Sequence, residues 1–192
     1  MRWDSLFDDL QAQYSAELAL LRESEVTERA RIEFGGIELS DRLRGAVGGR
    51  VTILLSNGEL VRGRMDSVGS DWFVVSDDSR QWLIPQRSVV SCQGLGRSVL
   101  KESSQVRRTL GIASVLRALA RDRSALEVFL AAGSGDAHRL HGVMDRVGQD
   151  YIDFAVVPRG EARRSGNVTS VMTIPVAAIV AFRSTGGGSL QH

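Results

Sequence analysis

Short apolar or alternating runs, each closed by a turn signal, fill residues 50–92 and again 125–182, the pattern of a chain built from short strands. In the first stretch, Ser40 is placed to cap a short helix over 41–47 that Gly48-Gly49 ends. Residues 51–55 then read as a strand, Asn57-Gly58 as a hairpin turn, and 60–68 as the return strand. Gly69-Ser70-Asp71 turns the chain into 72–75, apolar enough to be buried on both faces, and residues 77–80 turn it again into 81–84. Pro85 cannot donate to a ladder, so 85–87 form a tight turn before a last strand over 89–92. The second stretch follows the same plan, with a helix over 113–120 and strands over 125–130, 139–147, 151–156, 171–174 and 179–182.

The likeness extends to the letters. Gly63-Arg64-Met65-Asp66-Ser67-Val68-Gly69-Ser70-Asp71-Trp72 matches Gly142-Val143-Met144-Asp145-Arg146-Val147-Gly148-Gln149-Asp150-Tyr151 at six of ten positions. Leu83-Ile84-Pro85 is echoed by Thr173-Ile174-Pro175, and Leu43-Arg44 by Leu116-Arg117, in the same order. Three matched blocks in one order point to an internal repeat. The domain plan is then an N-terminal helix and connector (1–38), a first repeat (39–96), a second repeat with its leading helix (97–183) and a glycine-rich tail (184–192). The two repeats differ most at one loop. Residues 77–80 are acidic in the first, whereas 158–169 are longer and hold Arg159, Arg163 and Arg164 in the second.

At the N-terminus, Trp3, Phe7, Leu10, Tyr14, Leu18 and Leu21 recur at spacings of three and four, one apolar helical stripe behind the approximate capping box Ser5-Leu6-Phe7-Asp8. Such a stripe has to be covered, either by the chain's own barrels or by another chain, and its near-heptad spacing suits the second. Residues 29–34 alternate and fit a strand as well as helix.

A hairpin with Asn57-Gly58, a glycine in the second strand (Gly63), then Met65-Asp66 and an apolar third strand resembles the first motif of the Sm-like branch of the SH3-like small barrels. The resemblance implies a mainly β (α+β) fold in which the N-terminal helix precedes two small SH3/Sm-like β-barrels, each led by a short helix. It implies no RNA site. The Arg-Gly signature of Sm proteins is replaced by Ile84-Pro85 and Ile174-Pro175, and the Tyr-Lys-His signature of the bacterial Sm-like RNA chaperone is missing. The opening Arg2-Trp3-Asp4 with Leu6-Phe7 is similar to that of an uncharacterised family from high-GC Gram-positive bacteria, which implies no activity.

Composition adds an asymmetry of charge. Residues 1–38 carry 4 basic and 9 acidic groups, 39–96 carry 7 and 6, and 97–192 carry 13 and 8. Lys101 is the only lysine, a bias that a GC-rich genome produces without functional meaning. Read functionally, Arg107, Arg108, Arg159, Arg163 and Arg164 would neutralise phosphates of RNA or DNA. Trp72, Trp82 and Tyr151 sit among aliphatic residues, which favours core packing over base stacking.

Catalytic chemistry finds little support. Cys92 is the only cysteine and falls in an apolar run, so it reads as a core residue. His138 and His141 are three apart on a strand and point to opposite faces, which argues against a shared metal. Asp66, Asp71, Asp145 and Asp150 flank glycine turns, where carboxylates bond backbone amides. No phosphate loop or nucleophile motif is present, and no cofactor or metal is expected. No apolar run approaches the length of a membrane span, and acids interrupt residues 1–10, so a cytoplasmic location is expected. The expectation is a non-catalytic binding or scaffolding protein acting through a protein partner or self-association, with nucleic acid as the alternative and no membrane role.

Overall fold

The computed structural model of the chain describes residues 35–77, 80–131, 138–158 and 167–185, with Val106 and Arg107 described by their backbone only. The chain divides into two compact units, Met1–Glu38 and Leu39–His192. The helical stripe from Trp3 to Leu21 and the ambiguous stretch 29–34 lie outside the described residues, which belong almost wholly to the second unit.

The second unit holds helix α1 (Leu39–Gly45) and strands β1 (Arg50–Leu55), β2 (Leu60–Val68), β3 (Trp72–Asp77), β4 (Arg80–Pro85) and β5 (Val89–Gln93). Helices α2 (Gln105–Thr109) and α3 (Ile112–Arg121) follow. Strands β6 (Ala125–Leu130), β7 (Arg139–Val147), β8 (Tyr151–Val156), β9 (Ser170–Pro175) and β10 (Ile179–Ser184) complete it. A 3-10 turn stands at each proline-led corner, Gln86–Ser88 and Val176–Ala178. The strands fall within two residues of where the apolar pattern places them.

Their assembly corrects the expected architecture. The chain does not close two separate SH3/Sm-like barrels; all ten strands form one open antiparallel sheet in the order β5-β1-β2-β3-β4-β10-β6-β7-β8-β9. Closure of a five-stranded set would require its two edge strands to meet. Here β4 of the first set pairs instead with β10 of the second, Leu83 opposite Phe182 and Trp82 opposite Arg183. One edge of each set is thus spent on the other, and β5 and β9 end the sheet. Periodicity along the chain states which residues face inward, not which strand becomes a neighbour.

Within the sheet the same pairing order occurs twice, down to its irregularities. The β2–β3 register breaks between Met65 and Ser67, and the β7–β8 register between Met144 and Arg146. The shared glycines are explained by close approach. A Cβ on Gly63 would run into the Ser76 carbonyl, and one on Gly142 into the Ala155 carbonyl. At Gly69 and Gly148 a Cβ would meet the rings of Trp72 and Tyr151, which fold over the turn.

Two cores result, and they interlock. Leu43, Ile53, Met65, Phe73 and Ile84 build the first, but Phe129, Val180 and Ala181 of the second strand set also fill it. Leu116, Val128, Met144, Ile152 and Phe154 build the second, together with Val74 and Leu83 of the first set. Consecutive residues at the joint are therefore buried: Trp82-Leu83-Ile84 on β4 and Ile179 through Phe182 on β10. α1 packs on β2 and α3 on β7. Leu43 and Leu116, matched in the sequence, are both fully buried.

Candidate interaction surface

The middle of the sheet is built to be rigid. Trp82, Arg183, Glu127 and His141 stand opposite one another on β4, β10, β6 and β7. Arg183 Nε donates to Glu127 Oε2 at 2.7 Å, and both side chains are nearly buried. The guanidinium lies 4.9 Å from the Trp82 ring centre and 5.2 Å from that of Phe129, so the aromatic faces share the work of solvating it. Trp82 and Phe129 are themselves 4.9 Å apart. Arg139 stacks on Phe129 at 5.3 Å and reaches Glu59 of the β1–β2 turn at 2.9 Å, tying the two strand sets together on this face. Such a row fixes register; it presents nothing to a substrate.

The ends of the sheet are different. β9 pairs with β8 from Tyr151 opposite Pro175 to Val156 opposite Ser170, and among the described residues no strand pairs with its other side. Only Ile174 of its six residues is buried, whereas β4, at the matching place in the first set, buries its last four under β10 and the cores. Val171 is 58% exposed and Met172 38%, and Tyr151 beside the strand is 40% exposed. No charge interrupts Ser-Val-Met-Thr-Ile-Pro, and its one proline comes last, so the devices that blunt a sheet edge are missing along most of its length. Thr173 Oγ1 donates to Asp153 at 2.7 Å and holds the strand in register with β8. At the other end, β5 is a five-residue strand on β1 that exposes Val90.

The expected phosphate-binding arginines are only partly on view. Arg108 is exposed on α2; Arg107 lies in the same helix with its side chain outside the described residues, and Arg159, Arg163 and Arg164 lie outside them altogether. Arg117 and Arg121, one turn apart on α3, are exposed, as is Arg123 just beyond it. Trp82 is buried, and Trp72 packs against the second core while its Nε1 donates to the Leu110 carbonyl at 3.0 Å. Tyr151 departs from the core packing expected of it and stands exposed.

The aspartates make structure, though not always by the route expected. Asp66, in the strand, pairs with Arg64 at 3.0 Å and accepts from the Ser76 hydroxyl rather than from turn amides. Asp71 accepts from the Ile112 amide at 2.8 Å and so caps α3 from a turn 41 residues away in sequence. His141 is half-buried with Nδ1 3.2 Å from the Val157 carbonyl, and no group of metal-ligating side chains gathers among the described residues. Cys92 is half-buried on β5, and burial pushes its thiol up from the ordinary value. Among the described residues no helix is long and apolar enough to cross a membrane.

Sequence reasoning missed the Glu127–Arg183 pair, although a glutamate inside the apolar run Leu126-Glu127-Val128-Phe129-Leu130 was a signal that a buried partner existed. It also missed that β9 would be an apolar edge strand, unpaired on one side among the described residues. Compared with protein-family models and with curated protein sequences, the chain matches none.

Proposed function

We propose that the chain is a non-catalytic binding protein that takes up an extended segment of another polypeptide along β9, by strand addition. The observation that carries this reading is the open edge itself: six residues with one buried, two exposed apolar side chains and no gatekeeping charge. Added main-chain hydrogen bonds would give affinity, and Val171, Met172 and Tyr151 would contact alternate side chains of the incoming strand. The partner is a different protein or a second copy of the chain. The rigid, cross-tied middle of the sheet suits a platform that holds its edge still while it is occupied.

The test uses the full chain with Val171→Lys and Met172→Lys together. Both positions are exposed, so stability should stay within about 0.5 kcal/mol of the parent. Association, read as a concentration-dependent mass by sedimentation or as nuclease-resistant capture of a polypeptide, should disappear. Association that survives both lysines rules the edge out.

A second reading, binding of RNA or DNA, draws on the exposed Arg117, Arg121 and Arg123 beside Arg108. It requires capture that nuclease abolishes and that falls steeply with salt, with the β9 lysines leaving it intact.

A further inference from the structure

The sheet joins its two strand sets at one place, and the internal repeat turns that joint into a template. β4 and β9 hold the same position in their sets, as do β5 and β10: Ile84-Pro85 matches Ile174-Pro175, and the strand after each proline-led corner begins at Val89 and at Ile179. β5 also lies on β1 as β10 lies on β6. Cys92 stands opposite Ile53 where Phe182 stands opposite Val128, and each register skips one residue, Val90 in β5 and Val180 in β10. Within the chain, β4 pairs with β10. The strands left without a second neighbour among the described residues are β9 and β5, one of each kind.

Burial at the joint shows what each free edge lacks. Val180 is 1% exposed and fills the first core, whereas its counterpart Val90 is 62% exposed. Trp82 is 4% exposed on β4, whereas Met172, at the same place on β9, is 38% exposed. Both free edges therefore expose an apolar side chain at a position that the joint buries. Pairing β9 with another β9 would leave Val90 uncovered; pairing β9 with β5 covers both. Neither strand carries a charged side chain, so their meeting strips water from no charge and sets no like charges opposite each other.

We propose that β9 of one copy of the chain pairs antiparallel with β5 of a second copy, Thr173 opposite Cys92 and Met172 opposite Gln93, as Leu83 lies opposite Phe182 and Trp82 opposite Arg183 within the chain. The pairing rests on the proposed role of β9 as a strand-accepting edge and gives that edge one occupant. Such a contact is head to tail: each copy that joins brings a fresh β9 or β5, so assembly does not stop at two chains. It is also weaker than its template. The Arg87 guanidinium donates to the Val176 and Ile179 carbonyls across the internal joint, and Ser88 Oγ donates to the Ile179 carbonyl. Ala177 and Ala178 hold those places after β9, and their side chains donate nothing. Gln93 and Thr52 stand where Arg183 and Glu127 make their ion pair. Assembly is accordingly reversible and grows with concentration.

Two full-length variants, each blocked at one edge, test the pairing by sedimentation. Val171→Lys with Met172→Lys closes β9, and Val90→Lys with Ser91→Lys closes β5; all four positions are exposed, and circular dichroism should match the parent's. The parent should sediment as a single chain when dilute and pass beyond two chains as its concentration rises. Each variant alone should stay a single chain throughout. Mixed in equal amounts, the two should form a pair of chains and nothing larger, because only β5 of the first and β9 of the second remain open. A β5-blocked variant that pairs with itself would mean that β9 meets β9, and a mixture of folded variants that stays at one chain would mean that the two edges do not fit; either result overturns the proposal. So does a parent that remains a single chain at its highest soluble concentration. The role of β9 toward a different polypeptide is then judged separately, by whether the β9-blocked variant loses a polypeptide that the parent captures.

Discussion

Asp71 and Asp150 show how one residue type, repeated at one place in the sequence, comes to do two jobs. Each stands two residues after a glycine, and each lends its backbone carbonyl to the residue after a proline: Gln86 N–H donates to Asp71 at 2.8 Å and Val176 N–H to Asp150 at 2.7 Å. Only Asp71 has a helix start within reach of its carboxylate, and the Ile112 amide is one of the donors that α3 cannot satisfy internally. Ser70 and Trp72 grip the same junction through the Leu110 carbonyl, at 3.1 and 3.0 Å. Asp71→Ala should therefore cost about 1 kcal/mol in urea unfolding, the usual worth of a helix cap. Asp150→Ala, at an exposed turn, should stay within about 0.5 kcal/mol. Equal losses would mean that the shared turn, and not the cap, is what the carboxylates support.

The strands were legible because burial leaves a pattern that does not depend on who provides it. Trp82-Leu83-Ile84 and Ile179-Val180-Ala181-Phe182 read as continuous apolar runs because these strands are covered on both faces. That the neighbour of β4 is β10, with Phe182 lying 99 residues beyond its partner Leu83, is a tertiary fact which no local window contains. The closed barrels expected from the repeat fail at that point, and so did any view of the pair that locks the joint. Arg183→Met should be the most damaging change there, costing about 3–5 kcal/mol, because the Glu127 carboxylate would then face Trp82 and Phe129 without its guanidinium. Adding Glu127→Leu to Arg183→Met should restore most of the loss, as an apolar pair often replaces a buried ion pair at little cost. Urea midpoints for the two variants settle it. A double variant no better than the single one would assign the damage to packing on the rings.

At the scale of the molecule, interlocked cores change what a repeat means for stability. Independent units would each unfold at their own midpoint, and a lesion in one would spare the other. Here Phe129, on the sixth strand, lies in the core built by the first five, while Val74 and Leu83 lie in the core of the last five. Neither core is complete without the other strand set, so opening one strips apolar cover from its neighbour. Residues 39–185 should consequently lose structure as one cooperative block. Phe129→Ala, a truncation worth about 3–5 kcal/mol, should lower amide-exchange protection by the same amount in β2 and β3 as in β7 and β8. Protection that falls on one side alone would show that the shared residues decorate two separable units. The equal fall is the outcome that burial demands, because Phe129 is 1% exposed and its ring neighbours come from both halves of the sheet, Trp82 from the first and Arg139 and Arg183 from the second.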